Sequence, residues 1–138
     1  MGGLVLKLSP RERVLVNGAV IENGERRSRI SIVTPDAKVL RLKDAVHPED
    51  ANTPVRRACY RIQLVLSGDL DGAAEKAHLL CRIEELSQVF TDRDSQKHTK
   101  TATDALIHED FYQALRALRL LMPREDRLLM LRKGSSVN

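Results

Sequence analysis

The stretch Arg13-Val14-Leu15-Val16-Asn17-Gly18-Ala19-Val20-Ile21-Glu22-Asn23-Gly24 holds two Asn-Gly pairs six residues apart, each following an apolar run. A two-residue hairpin loop that matches strand twist needs positive φ at both central positions, and Asn-Gly adopts it at little steric cost. The stretch therefore predicts a tight β meander. Its strands run Arg13 to Val16 and Ala19 to Glu22, then Ser28 to Val33 and, after Thr34-Pro35-Asp36, Lys38 to Leu42.

Side chains alternate across a strand, so the pattern also assigns faces. Leu4, Leu6 and Leu8 form an inward row, with Val14, Val16, Ile30, Ile32, Leu40 and Leu42 as its companions. The outward set is then Lys7, Arg13, Arg29, Ser31, Arg41 and Lys43, interleaved with Val5, Leu15 and Val39. Charge is concentrated in the same region. Residues 1–43 hold nine Lys and Arg against four acids, while the whole chain of 138 residues carries a net charge of +4, so the remainder is close to neutral. Solvated strand faces carry Lys and Arg for solubility and edge protection in any case, so this basic face is a candidate and not an assignment.

The period changes after a polar connection from Asp44 to Thr53 that contains Pro48. Thr53-Pro54 pairs an N-cap hydroxyl with proline at the first helical position, and Val55, Cys59, Ile62 and Leu66 follow at helical spacing. Leu79, Ile83, Leu86 and Phe90 mark a second helix, and Phe111, Leu115, Leu118 and Met122 a third that Pro123 stops or kinks. Residues 91–104 are almost wholly polar and read as a loop that turns helical toward Leu106 and Ile107. The expected fold class is α+β. A small antiparallel β meander over residues 1–47 precedes a helical unit of three to five helices over 48–138, with helices at 54–67, 71–90, 108–122 and 124–133; the two parts are either separate units or one compact domain. Short β units rarely bury enough surface alone, which suggests a homodimer.

Several function classes lack their residues. His47, His78, His98 and His108 are scattered, and only His78 with Cys81 has helical ligand spacing, two ligands where structural zinc takes four. No Gly-rich loop joins a strand to a helix, and no serine lies in a nucleophile elbow. The expectation is no enzyme, no metal and no cofactor. Cys59 and Cys81 both read as buried thiols in a reducing compartment. Without an apolar run near twenty residues or an export leader, the expected location is cytoplasmic and off the membrane. Two Phe, two Tyr and no Trp leave the expected sheet without aromatics, so any RNA binding would use Lys and Arg, backbone edges and shape instead of base stacking.

The ordered string Leu6-Lys7-Leu8-Ser9-Pro10, Asn17-Gly18-Ala19-Val20, Asn23-Gly24, Arg26-Arg27, Val39-Leu40-Arg41-Leu42-Lys43-Asp44, Pro48-Glu49-Asp50 and Thr53-Pro54-Val55-Arg56 closely resembles the FlbT family of flagellar regulators from alphaproteobacteria. Glu109-Asp110-Phe111-Tyr112-Gln113-Ala114-Leu115 resembles that family's other signature. The resemblance runs from about Leu4 to Leu131. It implies a post-transcriptional regulator acting on the 5′ leader of flagellin messenger RNA, more often repressor than activator, with the small flagellar protein FlaF as a functional partner. The first forty-odd residues also resemble, in part, the carbon-storage-regulator (CsrA) family, whose intertwined β dimers bind RNA leaders along their edges. Here Leu8-Ser9 stands where that family has a basic pair, and Arg41 aligns only with a one-residue offset, so neither its RNA site nor its dimer interface transfers intact.

Two readings follow. In the first, a basic β face binds the flagellin leader through Lys7, Arg13, Arg29, Arg41 and Lys43, with Arg11, Arg26 and Arg27 as auxiliaries on turns. In the second, the helical half is an adaptor or chaperone-like partner of FlaF or flagellin, using Phe111, Leu115, Leu118 and Leu128, and affects messenger only indirectly.

Overall fold

Asn17 and Gly18 have φ of 47° and 86° in the computed structural model of the chain, which describes residues 3–136, with side chains through residue 131. This positive pair closes a two-residue hairpin between β2 (Arg13–Val16) and β3 (Ala19–Glu22), with Val16 opposite Ala19. β1 (Leu4–Leu8), β4 (Ser28–Ile32) and β5 (Val39–Arg41) complete the strands. All pairings are antiparallel: β1 with β4 as a two-stranded ribbon, and β3-β2-β5 as a three-stranded sheet.

The second Asn-Gly pair is not a hairpin, which corrects the expected meander. Only Gly18 and Gly68 among the described glycines have positive φ. Asn23 instead uses its side chain as a fastener: Nδ2 donates to the carbonyls of Ser9 at 2.7 Å and Arg26 at 2.9 Å, and Oδ1 accepts from Ser28 Oγ at 2.7 Å. These bonds turn the chain away from β3, so that β4 returns to β1. Asn is used here for its amide and not for its tolerance of left-handed backbone.

Register also corrects one set of faces. Val14 lies opposite Arg41 and Val16 opposite Val39, so Val39 and Arg41 share the inner face of Val14, while Leu40 lies opposite Leu15 on the other face. An offset of one residue reverses every side chain of a strand. Val39 and Leu40 are both buried, whereas Leu42, which opens a single-turn helix at Leu42–Asp44, is exposed.

Five α-helices follow among the described residues: α1 (Pro54–Leu66), α2 (Gly72–Val89), α3 (Arg93–Ile107), α4 (Phe111–Arg119) and α5 (Met122–Ser136). α1 starts as expected, with Thr53 Oγ1 accepting from the Arg56 N–H and Pro54 in the first turn. The expected loop over 91–104 is instead α3. Asp92 caps it by accepting from the Ser95 N–H, and its buried stripe is Ser95, Thr99, Ala102 and Leu106. Two of those four are hydroxyl residues, and Thr99 Oγ1 is satisfied by donating to the Gln96 carbonyl of its own helix. The helix expected over 108–122 is split. Residues 108–110 form a turn with Glu109 at φ 57°, Asp110 caps α4 by accepting from the Gln113 N–H, and Pro123 lies in the first turn of α5, where a missing N–H breaks nothing. Of the two cysteines only Cys59 is buried, and burial pushes its thiol up to about 12; Cys81 is exposed on α2.

One apolar core runs from Leu6, Leu8, Val14 and Val39 of the strands into Ile62, Leu79, Ile83 and Leu118 of the helices. Polar clasps join the same parts. Gln63 holds both the N–H and the carbonyl of Val46, and Arg119 Nη1 donates to the Asp44 carbonyl at 2.6 Å. Buried Glu125 of α5 accepts from the Thr53 hydroxyl and from the Val55 N–H at the head of α1, and Arg56 forks onto Asp126. Glu125→Ala leaves the Val55 donor buried without an acceptor, a loss of about 1–3 kcal/mol that urea denaturation would measure.

Candidate nucleic-acid interface

β1 is amphipathic by strict alternation: Leu6 and Leu8 are buried, and Val5 and Lys7 are exposed. Its partner β4 keeps the same parity, so Lys7 lies directly opposite Arg29 on the solvent face, with Val5 opposite Ser31. Arg26 and Arg27, both exposed, lie just before β4. Lys7, Leu8, Ser9, Arg27, Ser28 and Arg29 line a shallow cleft of about 470 Å³ at that end of the ribbon. Among the described residues Lys7, Arg26, Arg27 and Arg29 have no acidic partner within ion-pair distance. Like charges directly opposite on a ladder repel, and here no carboxylate offsets them.

The other four basic candidates are matched with acids. Arg13 Nε meets Glu22 Oε1 at 2.9 Å across the β2–β3 pair. Arg11, at φ 62° in the turn after β1, reaches Glu25 at 2.9 Å and Glu22 at 3.6 Å. The Arg13 guanidinium, and secondarily Arg11, holds the Glu22 carboxyl below the usual carboxylate range. Arg41, expected on the outer face, is turned inward. It forks onto Glu12, Nε to Oε2 at 2.6 Å and Nη2 to Oε1 at 2.8 Å, and Nη2 also donates to the Lys7 carbonyl at 2.6 Å. Glu12 is 4% exposed at its side chain and accepts from the Ser9 N–H as well. The Arg41 hydrogen bonds, aided by Ser9 and Lys43 and opposed by burial, lower the Glu12 carboxyl to about 2. Lys43 Nζ stands 3.9 Å from the same carboxylate.

Arg41 is thus a positioning residue for the ribbon: it holds the backbone of Lys7 from below. A signal for this was present in the sequence, since Glu12 has the inward parity of Val14 and Val16 and a buried carboxylate needs a cation. Of the four apolar partner candidates, Phe111, Leu115 and Leu118 are core residues at 8%, 0% and 0% exposure, and Leu128 is on the surface. Among the described residues no three His, Cys, Asp or Glu come together to hold a metal ion, and no helix is long and apolar enough to cross a membrane.

Residues 4–129 match the profile of the family described as "Flagellar protein FlbT". The chain belongs to the FlbT family. Its FlbT relatives include a "Probable flagellum biosynthesis repressor protein FlbT" from Rhodopseudomonas palustris, 35% identical over 128 residues that cover 91% of this chain and 97% of the relative. A protein of the same description from a Caulobacter species is 29% identical over 126 residues, 91% of this chain and 95% of its own. The "Flagellum biosynthesis repressor protein FlbT" of Caulobacter vibrioides is 27% identical over 126 residues, 91% and 89% of the two chains. No solved structure matches this FlbT chain.

Proposed function

We propose that the chain is a cytoplasmic post-transcriptional regulator of flagellum biogenesis that binds the 5′ leader of flagellin messenger RNA, with repression as the direction its relatives' names carry. The observation that supports RNA as ligand is the unmatched group of Lys7, Arg26, Arg27 and Arg29, in which Lys7 and Arg29 face each other on one ladder. A phosphate chain would relieve that repulsion and release counterions. With no aromatic on either ribbon strand, contacts run to phosphates and to the free strand edges, and sequence preference comes from leader shape.

The test is a titration of the full chain against its flagellin leader and a length-matched unrelated RNA at several salt concentrations. Four phosphate contacts to a single strand give a log–log salt slope of about −3, and each alanine at Lys7, Arg27 or Arg29 takes away about 0.7. Arg29→Ser should bind several-fold more weakly and yet be more stable by about 0.2–1 kcal/mol, because it removes a like-charge pair. Equal affinity for both RNAs, or binding unchanged in these variants, would count against the proposal.

A second reading, an adaptor or chaperone-like partner of FlaF or flagellin, is favoured by the surface apolar residues Leu128, Leu129, Met130 and Leu131 of α5. It predicts FlaF capture that survives moderate salt and is lost with Leu128→Asp, while leader affinity stays unchanged.

A further inference from the structure

Between the strands and the helices lies a cleft of about 640 Å³. Its apolar walls include Leu4 and Ile32 from the β1–β4 ribbon and Val65 and Phe111 from the helices. Its rim is acidic: Asp36, Asp71, Glu109 and Asp110 are all exposed, against Lys38 as the only lining Lys or Arg among the described residues. Asp36 and Asp71 have no ion-pair partner among the described residues, and Glu109 stands 4.0 Å from Lys76 Nζ. Asp36 and Glu109 both take left-handed backbone, at φ 60° and 57°.

The complementary shape is in the same chain. Beyond Glu125 and Asp126, which hold α5 to the head of α1, the sequence reads Arg127-Leu128-Leu129-Met130-Leu131-Arg132-Lys133, four apolar residues between three cations with no acid. Leu128 and Leu129 are 36% exposed, Met130 71% and Leu131 66%. Four consecutive residues on a helix point around most of its circumference. Such an end cannot be buried by laying one face on a surface; it has to enter a groove.

No residue of α5 lines that groove. Glu125 anchors the helix at Val55, the head of α1, whereas the cleft is at Val65 and Leu66, about 15 Å away along α1 at 1.5 Å per residue. We propose that the cleft receives the Arg127–Leu131 stretch of α5 from a second copy of the chain, exchanged reciprocally about a two-fold axis. Arg127 meets the acidic rim and the leucines enter between ribbon and helices. Reciprocal exchange uses each surface twice and leaves neither open, so assembly closes at two.

The experiment is sedimentation velocity of the full chain across the micromolar range, with circular dichroism on every variant to confirm folding. The native chain should be a dimer. Leu129→Asp with Met130→Asp on the helix, and separately Asp36→Lys with Asp71→Lys on the rim, should each weaken dimerisation at least tenfold. Combining the rim reversal with Arg127→Glu in one chain should restore it in large part, an outcome that general loss of surface charge does not produce. A monomeric native chain overturns the proposal and assigns both surfaces to a different protein. So does a dimer that either variant pair leaves intact, or one that the combined reversal fails to restore.

Discussion

Arg41→Ala should destabilise the chain by about 3–5 kcal/mol, because it strands a buried carboxylate without its cation. Glu12 lies beneath the ribbon with both oxygens committed to the Arg41 fork, and a shortened side chain leaves that charge desolvated. Urea denaturation at neutral pH measures the loss. Adding Glu12→Gln should recover a large part of it, as expected where two residues share one interaction. The same pair sets an acid limit. The Glu12 carboxyl is lowered from 4.5 to about 2 in the fold, so the native state binds its proton less readily than the unfolded chain. The stabilisation, about 3 kcal/mol, is complete above pH 4.5 and is lost as pH falls from there through 2. In Arg41→Ala this part of the pH dependence should disappear. Weaker RNA binding by an Arg41 variant would therefore report a displaced Lys7, whereas Lys7→Ala and Arg29→Ser test contact directly.

In the dissociated chain, Leu118→Ala should cost about 2–5 kcal/mol and Leu128→Ala less than about 0.5 kcal/mol. Leu118 has no exposed surface and stands in the core with Ile62 and Leu115, whereas Leu128 is 36% exposed. Thermal denaturation of the two variants side by side separates the roles, and equal losses would contradict the packing described for α4 and α5. The contrast also decides which leucine is useful for testing a partner. A polar residue at 118 removes the fold along with any surface, while one at 128 changes the surface alone.

How much of this was legible in the sequence depended on how local each signal was. The Asn17-Gly18 hairpin, the Thr53-Pro54 helix start and the apolar stripes of α1 and α2 are short-range features, and each is present. The second Asn-Gly pair misled because the same two residues serve as a left-handed turn or as a side-chain fastener, and which one applies depends on where Leu8, Ser9 and Ser28 lie. α3 was hidden because hydroxyl residues took two core positions on its stripe. In the basic group, charge content was plain, but pairing was not. The pairing of Arg13 with Glu22 follows from the two-residue Asn17-Gly18 turn, but that of Lys7 with Arg29 joins strands separated by nineteen residues, and their register is not written in either strand.

The clasp of Glu125 on Thr53 and Val55 joins residues about seventy positions apart. During synthesis, at roughly 5–20 residues per second, the head of the first helix therefore waits several seconds for its acceptor. Until then the Val55 amide is bonded to water, and α1 begins frayed. The β segments, all N-terminal to it, have emerged by then and can pair in the meantime. A nascent chain arrested before residue 125 should consequently show a protected β2–β3 hairpin and an unprotected amide at Val55, while Arg56 keeps its Thr53 acceptor. α5, made after the other four helices described, is the one that finishes the first.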